Sequence, residues 1–187
     1  MKLHWHSVIN KVLSGFSKQH DIIFVQDYTD IKMTTNKAPL SFQEVLAKLM
    51  RFCSYQERSE WEVSQKAKVY GLDDEKVEEL LKHLRKENFI NEKRFAETYV
   101  RGKVRVKKWG LYKIKQGLMA KGVDSPIISS ALKTINQDLY AKNLHELAST
   151  KRDKLASSAD SKAKLFRFLQ AKGYEGDLIW SEISKGS

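Results

Sequence analysis

From Ser41 onward, apolar residues return every three or four positions, the interval that gathers them on one face of a helix. Phe42, Val45, Leu46, Leu49 and Phe52 set the pattern, and Ser41 just before them is predicted to cap the first helix. Three glycines then divide the chain. Gly71, Gly122 and Gly173 stand 51 residues apart, in the contexts Gly71-Leu72-Asp73, Gly122-Val123-Asp124 and Gly173-Tyr174-Glu175. The apolar positions around them keep one register. Val63, Ile114 and Leu165 lie eight residues before each glycine, and Ala67, Leu118 and Leu169 four before. Val77, Ile128 and Ile179 follow six after, and Leu81, Leu132 and Ile183 ten after. A fixed period with helical spacing inside it predicts an all-α fold: three tandem three-helix repeats, helix-turn-helix-like, in an elongated curved arrangement.

The expected units are residues 41–90, 91–136 and 137–187. In each, the glycine is predicted to end the second helix in a left-handed conformation, which a side chain disfavours. The acidic residue two positions later approaches the next helix start, where unpaired amides and the helix dipole favour negative charge. In the second unit Pro126 suits a first helical turn, with Ser125 as the expected cap. Gly117 falls inside a predicted helix, at a cost of about 1 kcal/mol relative to alanine.

The first 40 residues break the pattern. Ile22-Ile23-Phe24-Val25 is a short β-prone run, and Thr34 to Pro39 has the composition of a linker. No later segment offers that run a strand partner. One expectation is that translation starts at Met33, leaving residues 1–32 upstream of the native protein; an intact mass decides it.

Composition adds little until charge is followed along the chain. At 41% hydrophobic and 30% charged, the 187 residues suit a solvated helical architecture, and no apolar run reaches the roughly 20 residues of a membrane span. The single cysteine, Cys53, sits among the apolar residues of the first helix and reads as a small buried hydrophobe. It fits a reducing, cytoplasmic setting. The formal charge is +11, and residues 91–136 hold eleven Lys/Arg against three Asp/Glu, a net +8. The flanking units are nearly neutral, at −1 for 41–90 and +2 for 137–187. One scaffold with a specialised, basic middle implies a polyanionic partner, nucleic acid first.

On a helix from about Glu92 to Val106, Phe95, Ala96, Tyr99 and Val104 are expected to face inward. Arg94, Arg101, Arg105 and Lys108 follow along another face, flanked by Lys103 and Lys107. Trp109, Tyr112, Lys113 and Lys115 follow, so rings alternate with cations. Such cations neutralise phosphates, and Trp or Tyr can stack on an unpaired base. For Trp109 a packing role at the turn is the stronger expectation.

Arg94-Phe95-Ala96, Arg101, Lys108-Trp109-Gly110, Ile114, Leu118 and Lys121-Gly122-Val123 together resemble the central motif of the RecX regulatory family. The resemblance runs from about Phe42 to the C-terminus and is strongest from Ile90 to Asp124. It implies a bacterial cytoplasmic protein of tandem three-helix repeats that acts in DNA repair, recombination and the SOS response. Its implied partner is the RecA nucleoprotein filament, in whose groove it lies, restraining ATPase, strand-exchange and coprotease activity. Single-stranded or duplex DNA is a secondary contact, and nothing in the sequence demands more than a monomer.

Enzyme chemistry finds no foothold in the sequence. There is no Gly-rich phosphate loop, no paired Cys ligands and no His-Glu-x-x-His helix. His4, His6, His20, His83 and His145 are scattered, and no metal or cofactor is expected. His145-Glu146 reads as a surface pair. The cluster Asp73-Asp74-Glu75 with Glu78-Glu79 reads as stabilisation of a helix start. The alternative function is a helix-turn-helix DNA-binding module of the transcription-factor type. That reading calls for one exposed recognition helix and usually a dimer.

Overall fold

The computed structural model describes residues 40–155 and 160–185. The β-prone run at residues 22–25, the linker at 34–39, Met33, and His4, His6 and His20 all lie outside them. Among the described residues every regular element is helical. The first three are α1 (Phe42–Tyr55), α2 (Glu60–Val69) and α3 (Asp74–Lys86). Then come α4 (Glu92–Lys107), α5 (Leu111–Met119) and α6 (Ser125–Leu132), followed by α7 (Gln137–Asp153), α8 (Ser161–Ala171) and α9 (Gly176–Ser184).

Local chemistry starts and stops these helices. Ser41 and Ser59 each form a reciprocal capping box, with Glu44 and Glu62 respectively. Asp73, Asn91 and Asn136 cap α3, α4 and α7 by accepting from the backbone amides of Lys76, Arg94 and Leu139. The acidic cluster at residues 73–75 is thus the start of α3. For α6 the sequence expectation is off by one: Asp124 is the N-cap and Ser125 the first helical residue, with Pro126 in the first turn. Pro126 has no N–H to lose there, so its place in the turn fixes the helix start without a side-chain cap.

The three period-setting glycines close their helices alike. Gly71, Gly122 and Gly173 have φ of 94°, 74° and 92°. In each turn the glycine N–H donates three residues back, to Lys68, Met119 or Gln170. The next residue donates five back, to Ala67, Leu118 or Leu169. The shared register is likewise the buried one: Val63, Ile114, Leu165, Ala67, Leu118, Leu169, Val77, Ile128, Ile179, Leu81 and Ile183 are core, and Leu132 alone of the twelve is half-buried.

These residues do not make three equivalent cores. Val45, Leu49, Val63, Leu80 and Leu84 belong to one cluster confined to α1–α3 and the turn after it, which ends at Ile90. Cys53 lies in it, its thiol pushed up to about 11 by burial. The second cluster runs unbroken from Phe95 to Ile183, so α4 through α9 share one interior.

Candidate functional site

The basic segment is built on α4, a tight corner, and α5. Inward-facing Phe95, Ala96, Val100 and Val104 fix the rotation of α4, with Tyr99 half-buried at their edge. Lys108 ends the helix in the left-handed region, at φ 50°, an uncommon conformation for a side-chain-bearing residue. Trp109 and Gly110 complete the corner, and Gly110 is the N-cap of α5.

The candidate cations divide into committed and available groups. Arg94 is half-buried and committed: its Nε donates to Glu57 Oε1 at 2.6 Å, and its other nitrogens reach Asn88 Oδ1 and the Asn88 carbonyl at 2.9 and 3.0 Å. Lys108 Nζ pairs with Glu146 at 2.5 Å. Lys113 Nζ donates to the Ala171 carbonyl at 3.0 Å and lies 5.0 Å from the Trp109 ring centre. Lys103 Nζ sits 4.7 Å from the Trp109 centre and 4.8 Å from that of Tyr99. Burial, then Lys121 and Lys107, hold the Lys103 ammonium below the usual lysine range. Lys107 is half-buried beside it. Arg101, Arg105 and Lys115 are exposed, and Arg101 donates to Thr98 Oγ1 at 3.1 Å.

The two candidate rings differ. Trp109 is half-buried, packs on the core and already carries two lysines. Tyr112 is 59% exposed. Gly117 has a steric reason: a Cβ there would stand 2.2 Å from the Tyr99 hydroxyl oxygen. Burial, then Glu62, pushes the Tyr99 phenol up to about 12.

The corner is also a joint. Gly110 N–H donates to the Lys172 carbonyl at 2.9 Å, and Tyr112 N–H to the Gly173 carbonyl at 3.0 Å. A Cβ on Gly110 would stand 2.2 Å from the Gly173 carbonyl carbon. The Tyr140 hydroxyl accepts from Leu111 N–H at 2.9 Å and donates to Glu175 at 2.6 Å. The Tyr174 hydroxyl donates to the Lys108 carbonyl at 3.2 Å, and Asn143 Nδ2 to the Val104 carbonyl at 2.9 Å. Burial pushes both the Tyr140 and Tyr174 phenols well above the ordinary tyrosine range, and the bond to Glu175 adds to the first.

Sequence reasoning missed this set, apart from the glycines. Its one signal was Tyr174, an aromatic at the position where the other units carry Leu72 and Val123. The expected His145-Glu146 pair does not form. Neighbours in a helix diverge by about 100°, and here His145 meets Glu182 at 2.7 Å while Glu146 meets Lys108. Among the described residues no group of three or more His, Cys, Asp or Glu side chains is placed to hold a metal ion.

Comparison with known proteins follows the same segments. Residues 91–132 match the family model for the second three-helix domain of RecX, and residues 138–183 that for its third. Regulatory protein RecX of Streptococcus agalactiae serotype V is 31% identical over 147 residues, 78% of this chain and 56% of that protein. The chain thus spans little more than half the length of these streptococcal relatives. Regulatory protein RecX of Clostridium tetani is 27% identical over 161 residues, 84% of this chain and 71% of that protein. The crystal structure of RecX from Lactobacillus salivarius superposes with a TM-score of 0.68 at 26% identity, covering 77% of this chain and 95% of that one.

Proposed function

The chain belongs to the RecX family, and from that premise we propose that it regulates the recombinase RecA by binding its nucleoprotein filament. On this reading it is not an enzyme. It works in the cytoplasm as a monomer, lies along the filament groove, and restrains ATP hydrolysis, strand exchange and coprotease activity. The three repeats, 41–90, 91–136 and 137–187, act as successive contact units, and the middle one touches bound DNA. Among the described residues no helix is long and apolar enough to cross a membrane.

One observation supports the DNA-facing role most. Arg101, Arg105 and Lys115 project from α4 and α5 with no carboxylate paired to them among the described residues, while Arg94, Lys108 and Lys121 are spent on internal acids. Unpaired cations release phosphate counterions without first breaking an internal bridge. Lys103, Lys107, Lys113, Trp109 and Tyr112 complete the candidate face. Arg94 and Lys108 act at its edges by holding α4 in place.

The test is RecA ATPase on single-stranded DNA, titrated with this chain across a salt series. Arg101→Ala combined with Arg105→Ala is expected to weaken inhibition about tenfold and to lower the salt slope by roughly two. Inhibition that stays unchanged at every salt concentration removes the assignment. Binding to naked duplex DNA in preference to the filament would favour a helix-turn-helix DNA-binding module instead.

A further inference from the structure

A cleft of about 400 Å³ opens where α5 meets α8 and the start of α9. Its walls carry Tyr112, Gln116, Gln170, Lys113 and the backbone of Gly173 and Gly176, and among the described residues no acidic one lines it. The volume falls within the range of small-ligand sites, and Gly176 faces open space, so a flat group can enter along that wall. We infer that this cleft receives an unstacked nucleobase of single-stranded DNA, with Tyr112 as the stacking platform and Gln116 and Gln170 as the groups facing the base edge.

Three observations carry the assignment. First, availability separates the two rings of the basic segment: Tyr112 is 59% exposed, while Trp109 packs on the core beneath Lys103 and Lys113. A ring left exposed beside polar groups retains a face for stacking. Second, Tyr112, Lys115, Gln116 and Met119 follow at the i, i+3, i+4 and i+7 positions of α5, and all four are exposed on one stripe. That stripe sets a cation beside the ring and a carboxamide one turn on. A carboxamide both donates and accepts, as a base edge requires.

Third, the preceding repeat supplies a natural contrast. Trp61 and Gln65 stand 51 residues before Tyr112 and Gln116, in the same helix register. Trp61 is half-buried, and the Lys121 ammonium 6.0 Å from its ring centre is already paired with Glu62, while Glu92 accepts from Glu60 N–H beside it. The aromatic–carboxamide pair therefore recurs, but only at α5 does it lie open in a basic setting that accepts a polyanion.

The inference rests on the DNA contact of the proposed function, yet its test needs no RecA. The intact chain is titrated, by fluorescence anisotropy, against an oligothymidylate and against an abasic strand of equal length. Base-bearing DNA is expected to bind about tenfold more tightly. Tyr112→Ala should reduce that binding to the abasic level, and Tyr112→Phe should keep the preference. Equal binding of the two strands, a preference that survives Tyr112→Ala, or no binding to either strand overturns the cleft assignment. A preserved base preference in a chain that leaves RecA ATPase untouched would instead overturn the proposed function while leaving the cleft in place.

Discussion

The two joints of this protein solve one problem by different means. Between the second and third repeats, backbone meets backbone. Gly110 and Gly173 bring their chains so close that neither tolerates a Cβ, and the apolar residues on both sides merge into one core. Between the first and second repeats, the equivalent positions are Ser59 and Gly122, and the cores stay separate. Side chains span that gap: Lys121 to Glu62 at 2.6 Å, Arg94 to Glu57 at 2.6 Å, and Glu92 to Glu60 N–H at 2.7 Å. The seam is imperfectly satisfied, since Glu57 Oε2 and Glu92 Oε2 are buried without hydrogen-bond partners among the described residues. Apolar interdigitation gives one cooperative block, whereas half-buried ion pairs give an articulation that opens more readily.

The contrast breaks most sharply at the glycines. Gly173→Ala places a Cβ 2.4 Å from Lys113 Cβ in a left-handed backbone, and should cost on the order of 3 kcal/mol. Hydrogen exchange should show protection falling in both α4–α6 and α7–α9 while α1–α3 is spared. Gly71→Ala has the same backbone sign but open space around it, so about 1 kcal/mol is expected, confined to the first repeat. Similar losses at the two positions would mean that the backbone contact contributes nothing.

A smaller effect is expected at the polar joint. A double-mutant cycle with Glu62→Gln and Lys121→Met should give a coupling of about 1 kcal/mol that shrinks as salt rises. Glu62→Gln keeps an acceptor for its capping box, so the cycle reports the ion pair rather than the helix start. A coupling that ignores salt would assign the joint to packing instead.

The smallest effect is a difference in pH response. Burial holds the Glu92 carboxyl above the usual range, more than its bond from Glu60 N–H offsets, and Glu60, Asp124 and Glu62 push it further up. The hydrogen bond and charge of Lys108 hold Glu146 below that range. A raised folded pKa stabilises below the unfolded value and loses that contribution as pH rises through the folded one. A lowered pKa contributes above the unfolded value and loses it as pH falls. Acidification should therefore relieve Glu92 at the first joint and weaken Glu146 at the second. Carboxyl NMR titration should place Glu92 above and Glu146 below a free glutamate; the reverse order would contradict both environments.

Much of the scaffold was legible because its causes are local. Capping by Ser41, Asp73 and Asn91 acts over three residues, and a left-handed glycine closes its own turn. The period compares like with like and needs no partner. The committed cations were illegible because their partners are remote: Glu57 lies 37 residues from Arg94, Glu146 lies 38 from Lys108, and Glu62 lies 59 from Lys121. Spacing put Arg94 and Lys108 on the same stripe as Arg101 and Arg105, but it holds no record of which acids fold back onto that stripe. In the sequence Gly110 stood out only as the end of Lys108-Trp109-Gly110, whereas its missing side chain is space for another repeat's backbone.

That missing side chain also makes the modules non-interchangeable. A hybrid that docks the third repeat directly against the first would set the Cβ of Ser59 where Gly110 stands, against the carbonyl of Gly173. The shared 51-residue register therefore does not make the repeats interchangeable: at this joint their order is keyed by the Cβ that Ser59 carries and Gly110 lacks.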